Sequence, residues 1–212
     1  MIKEAIFFIT NFIVMFILLR KLEPRFRQKK TIKAVMYLNS IAHGILIFAA
    51  SSAFLTKKMG IVEYNTYIEM TKGYLLQDII VMCYFYKYID GFFLMLFHHL
   101  IFFGSLFSNF IAIYPYLLAQ ALTCEVTNFF LYGGWFLIQL GLDRTFIFIM
   151  NAVILITLFF YFRVYNFLNL FLIAIDIENA HFESSVLFFI SFMNVYWFVL
   201  LVEKFIKLLI FL

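Results

Sequence analysis

LMLFHHLIFFG, residues 94–104, is an apolar run of the kind that lies in lipid, interrupted in its middle by two adjacent histidines, His98 and His99. Ionisable groups at that depth are rare and usually functional. The run decides the fold because the same composition extends along the whole chain. Of 212 residues, 66% are hydrophobic and 13% charged, and phenylalanine alone takes 32 positions. A soluble domain is about half apolar and about a quarter charged, so this chain has too little polar surface to coat a globule in water. With two prolines and eight glycines, the apolar stretches read as long helices rather than strands broken by turns.

A helix needs about 20 apolar residues to cross a hydrocarbon core about 30 Å thick. Seven stretches qualify, at approximately 4–20, 34–55, 73–89, 91–110, 112–137, 144–166 and 184–206. Pro115 near the start of the fifth and Gly133-Gly134 near its end are expected to kink it or set off a partial turn. The first stretch follows Met1, Ile2 and Lys3 and lacks a small-residue cleavage site, which predicts a retained membrane helix.

Seven of the sixteen basic residues, Arg20, Lys21, Arg25, Arg27, Lys29, Lys30 and Lys33, crowd the first connection, which should therefore stay on the side where the chain is made. Seven spans put Lys87, Arg144, Lys204 and Lys207 on that side too, eleven in all, against Lys3, Lys57, Lys58, Lys72 and Arg163 on the other. Asp176, Glu178 and Glu183 fall on the far side, in keeping with the same asymmetry. The net charge of +4 thus reflects topology and contact with anionic lipid. It does not predict a nucleic-acid partner, whose basic and aromatic surface is missing.

At 1.5 Å per residue, His43, His98, His99 and Asn151 lie about 10 to 15 Å in from the basic side, with Asp78 and Glu125 near mid-membrane. Such groups avoid lipid because desolvation is costly. The expected architecture is a ring of helices two to seven around a polar-lined interior, with helix one added outside.

NSIAHG at 39–44, KGYLLQD at 72–78, FHHLIFF at 97–103, YPYLLAQALTCEVTNFF at 114–130 and NAVILITLFFYFR at 151–163, in that order, resemble the TLC domain shared by TRAM, LAG and CLN proteins. The resemblance covers about residues 34–206 and implies a six-helix bundle enclosing a pocket for an acyl chain or other lipid. The expected fold is thus an all-α integral membrane protein of about seven transmembrane helices. Residues 1–33 supply an N-terminal helix and basic loop, and residues 34–212 a TLC-like six-helix domain. Ceramide synthases of the LAG branch follow the paired histidines with a His-Asp stretch and a further Asp. Here the run after His99, LIFFGSLFSNFIAIYPYLLAQ, contains no acid. Glu125 in CEVTNFF instead resembles the glutamate segment of the TLC-domain-containing and CLN-type branch, whose implied roles are lipid handling, control of membrane lipid composition, cargo transport and acyl transfer.

Two readings of the polar set follow. As an acyltransferase, the chain would use His98 or His99 as the base for an attacking amine or hydroxyl, with Glu125 or Asp78 orienting the ring. Neighbouring helical residues point about 100° apart, so only one of the two histidines addresses a given point. As packing glue, the same groups would hydrogen-bond across helices for about 0.5 to 2 kcal/mol each. Between these lies lipid headgroup binding, for which His43, Asn151 and Arg163 are the candidates, although Arg163 also reads as a snorkelling anchor at the far interface. The expectation is a non-catalytic role, with acyl transfer as the activity if there is one.

Four histidines and two cysteines show no metal-ligand spacing, so no metal and no cofactor are expected beyond a bound phospholipid or acyl lipid. Short connections, and bulky apolar faces such as VLFFISFMNVYWFVLLVEKFIKLLIFL at 186–212, also fit an accessory subunit of a large membrane complex with protein partners. The expected location is the endoplasmic reticulum or the mitochondrial inner membrane.

Overall fold

The computed structural model describes residues 2–22, 28–108, 113–178 and 180–210, and every regular element among them is helical. Arg25 and Arg27 of the basic connection, the end of the fourth expected span at 109–110 and the start of the fifth at 112 lie outside the described residues. The chain divides into two compact units, Met1–Ser108 and Asn109–Leu212.

The first unit is built from α1 (Ile2–Leu22), α2 (Gln28–Leu55), α3 (Ile61–Tyr84) and α4 (Phe92–Ser105). Helix α1 packs along α3 and α2, and α4 packs on α3. Phe12 from α1, Ile32, Val35 and Met36 from α2, and Val81 and Met82 from α3 form the core. Phe92, Met95 and Leu96 of α4 pack against it.

Helix α3 begins at Ile61, about three turns ahead of the apolar run expected from residue 73. Those turns bury only Tyr64, Ile68 and Thr71, an i, i+4, i+7 stripe on an otherwise polar segment. A search for unbroken apolar runs passes over such a helix. Its first turn is closed by Glu63, whose Oε2 accepts the backbone N–H of Gly60 at 3.2 Å. Ahead of it, α2 ends in a Schellman turn. There the N–H of Lys58 donates to the Ala53 carbonyl at 2.8 Å, that of Lys57 donates to Phe54 at 3.0 Å, and Lys57 takes the left-handed φ of 58° usually left to glycine.

At the opposite end of the α2–α3 pair, the Asp90 carboxylate takes Lys29 at 3.1 Å and Lys33 at 2.5 Å, both from the start of α2. Lys33 first and then Lys29 hold this carboxyl below its usual range. The first and third connections therefore meet at one end of this unit.

Among the described residues, the second unit forms three helical rods. α5 (Pro115–Leu122) passes through a 3-10 turn, Thr123–Val126, into α6 (Thr127–Gln139). α7 (Phe146–Phe159) passes through a π turn, Phe160–Tyr165, into α8 (Asn166–Ile175). The third is α9 (His181–Ile210). Leu155, Phe159 and Val164 form a core with Phe130, Trp197, Phe198 and Leu201 packed on it. α9 lies along α8, where Ser184 Oγ donates to the Ala174 carbonyl at 3.0 Å and Phe171 meets Phe188 at 5.5 Å between ring centroids.

Where a kink or partial turn is expected, Pro115 marks a helix start and the Gly133-Gly134 pair makes neither. Pro115 opens α5 at its first helical position, where its missing N–H costs nothing. α6 runs unbroken through both glycines, and the irregular stretch of this rod is Thr123–Val126. The glycines serve packing instead. Asn151 of α7 lies so close that a Cβ at Gly134 would meet its Nδ2 at 3.0 Å.

Among the described residues, three helices are long and apolar enough to cross a membrane, Lys29–Leu55, Phe146–Ile175 and His181–Leu208, and Phe92–Ser105 is a shorter apolar helix.

Candidate functional site: two buried ion pairs

In the first unit the pair is made by α3 and α4. Asp78 is 5% exposed, and its Oδ2 lies 3.1 Å from Nε2 of His99. Nδ1 of the same ring faces the Met95 carbonyl, one turn back in α4, at 2.8 Å. A carbonyl only accepts, so Nδ1 carries a hydrogen. On the other side Nε2 lies against the Asp78 carboxylate as an ion-pair contact. Both ring nitrogens are thus engaged, and work as a general base would require Nε2 to turn away from Asp78. His98, next in the chain, turns its ring edge-on to His99 and parallel to Phe102.

His43 belongs to a different seam of this unit, between α2 and α3. Thr71 spends its hydroxyl hydrogen on the Tyr67 carbonyl at 2.9 Å, so at 3.1 Å from its Oγ1 the Nε2 of His43 is the donor. The imidazole stacks on Tyr74, centroids 4.0 Å apart. The hydroxyl of Tyr74 pairs with Ser40 at 2.7 Å, and lower on the seam Ser51 pairs with Tyr64 at 3.2 Å. This ladder joins two helices through hydroxyls and an imidazole.

In the second unit the pair is built around Arg163, which the π turn carries. Expected to reach an interface, Arg163 is instead 7% exposed. Its Nε donates to Thr127 Oγ1 at 2.7 Å and its Nη2 to Asn128 Oδ1 at 3.0 Å, with Glu125 Oε1 3.6 Å from Nη2. Asn128 in turn donates Nδ2 to Glu125 Oε2 at 2.6 Å, bridging acid and base. The Phe159 ring lies 5.5 Å from the guanidinium carbon. The snorkelling expectation rested on residue counting, which placed Arg163 at the end of a span. The helix continues through α8 to Ile175, and the network draws the side chain inward.

Asn151 donates Nδ2 to the Phe130 carbonyl at 2.9 Å, across the space left by the glycine pair. Gln120 and Asn166 form a further cross-helix clasp, Nε2 to Oδ1 at 2.9 Å and Nδ2 to the Gln120 carbonyl at 2.8 Å.

Of the acids weighed for orienting a histidine, Asp78 meets the ring, while Glu125 is engaged by Cys124, Asn128 and Arg163 within its own unit. Thr127 and Asn128 were not singled out from the sequence. Their signal was position, two and three residues after Glu125 on the same stretch of helix.

The sequence model of the TLC domain family matches residues 27–203. Comparison with curated proteins and with solved structures gave no significant match.

Proposed function

We propose, for a chain that belongs to the TLC-domain family, that it is a membrane-embedded lipid handler without chemistry of its own, whose buried ion pairs hold helices together. The observation that carries this reading is the commitment of His99 at both nitrogens, to Met95 and Asp78. Arg163, held by Thr127 and Asn128, and Glu125, held by Asn128, support it further. Exposed Phe93, Phe146, Phe192 and Ile210 offer apolar surface suited to acyl chains. The acid-free run after His99 and the glutamate segment at Glu125 favour the CLN-type branch of the family over the ceramide synthases.

The test is extraction in mild detergent followed by native mass spectrometry, alongside an acyl-CoA assay with amine and hydroxyl acceptors. We expect acyl lipid to remain bound, in the unsubstituted chain and in His99→Gln alike, with no transfer. Acyl transfer lost in His99→Ala would replace this reading by the acyltransferase. Migration in a defined large complex, without stoichiometric lipid, would replace it by the accessory subunit.

A further inference from the structure

Within the first unit, two buried carboxamides fall near one level on two neighbouring helices. Gln77 on α3 is 1% exposed and Asn39 on α2 is 6% exposed. Neither Nε2 nor Oε1 of Gln77 has a hydrogen-bond partner among the described residues, and Nδ2 of Asn39 has none. The packing fixes their level. Phe8 of α1 meets Tyr74 of α3 with centroids 5.6 Å apart, and Ser40 of α2 holds the hydroxyl of the same tyrosine. Asn39 precedes Ser40, and Gln77 stands one turn beyond Tyr74, before Val81 of the core. α1 runs parallel to α3, since Phe8 meets Tyr74 and Phe12 meets Phe85.

A buried amide left unpaired pays the full desolvation of each polar atom, and protein interiors meet such groups with protein or with ordered water. Gln77 offers two donor hydrogens and two acceptor lone pairs, and the Asn39 nitrogen offers two more hydrogens. The occupant must both give and accept hydrogen bonds and must fit among closely packed helices. It carries no charge, because the nearest acid in sequence, Asp78, is already matched by His99. We propose that Gln77 and Asn39 bind ordered water, an internal hydration site at the α2–α3 seam, one residue from Asp78.

The unit contains its own control. Tyr64 and Tyr74 are 0% and 3% exposed, and each hydroxyl pairs with a serine, Ser51 and Ser40 respectively. Only Tyr74 lies beside the carboxamides. Brief X-ray radiolysis of the full chain in phosphatidylcholine nanodiscs generates hydroxyl radicals from bound water in place, and peptide mass spectrometry reads the oxidation. Tyr74 should be oxidised several-fold faster than Tyr64, with oxygen-18 incorporated after exchange into labelled water. Gln77→Leu should bring Tyr74 down to the rate of Tyr64. Equal rates for the two tyrosines in the unsubstituted chain would overturn the site. So would a fast Tyr74 that neither Gln77→Leu nor Asn39→Leu slows. If a variant fails to fold, the two tyrosines of the unsubstituted chain decide alone.

Discussion

The two buried ion pairs look alike in exposure, with side chains 12% and 7% accessible for His99 and Asp78 and 9% and 13% for Arg163 and Glu125. They differ in what each does when the environment turns hostile to charge. A carboxyl and an imidazole such as Asp78 and His99 each have a neutral form. Arg163 has no such exit, because a guanidinium stays protonated in proteins. The second unit surrounds its cation with Glu125, Thr127, Asn128 and the Phe159 ring, while in the first His99 meets Asp78 and the Met95 carbonyl.

The contrast breaks first at Glu125. Glu125→Leu leaves a buried guanidinium without its counter-charge and should cost about 3 to 5 kcal/mol, read as the midpoint of unfolding by SDS in mixed micelles. Glu125→Met combined with Arg163→Met should recover most of that loss, since removing both charges is often neutral or stabilising. A single variant that unfolds no more easily than the unsubstituted chain would show that Arg163 is hydrated, contrary to its 7% exposure.

The corresponding change in the first unit should be milder. Asp78→Leu leaves an imidazole that can stay neutral, and the cost is that of one unpaired buried nitrogen, about 1 to 3 kcal/mol. Asp78→Asn can still donate from its amide to Nε2 and should cost less than about 1 kcal/mol in the same titration. If Asp78→Asn proved as costly as Glu125→Leu, the pair would be held as ions and the contrast drawn here would fail.

Lys57 gives a smaller effect of opposite sign. A left-handed conformation costs a side-chain-bearing residue about 1 to 2 kcal/mol, and glycine gives back part of that gain as unfolded-state entropy. Lys57→Gly should therefore raise stability by up to about 1 kcal/mol, measured as a shift in melting temperature in detergent.

The smallest effect belongs to Asp90, an ion pair in the open with a side chain 74% exposed. Its carboxyl is held below the usual range by Lys33 and Lys29. Its contribution is therefore fully present above the ordinary carboxylate pKa and fades as pH falls through the lowered folded value. A slight loss of stability below about pH 4, absent in Asp90→Asn and in high salt, is the expected signature.

Apolar runs made the helices legible, because a stretch such as Phe146–Ile175 has few other ways to satisfy its backbone in lipid. The early turns of α3 were not, since Glu63, Asn65, Thr66 and Glu69 interrupt the run while leaving the helix intact. The polar residues were legible as a set, but their pairing was not. Depth along a helix can be counted, whereas azimuth cannot once a 3-10 or π turn intervenes. Arg163 was misplaced for a different reason, because the helix runs on past it to Ile175. Asp78 was one of two acids weighed for a histidine, and choosing between them required knowing that α3 packs on α4.

The π turn at Phe160–Tyr165 also sets the phase of everything after it. In an uninterrupted α-helix Ala174 would sit about 100° around from Leu155, yet Leu155, Phe159, Leu170 and Ala174 are all buried. One surplus residue absorbs that drift, as a leap day keeps a calendar in step with the seasons. Removing a single residue from this segment would leave the composition of the rod almost untouched and turn its second half to a new bearing, carrying Leu170 and Ala174 off the seam they share with α9.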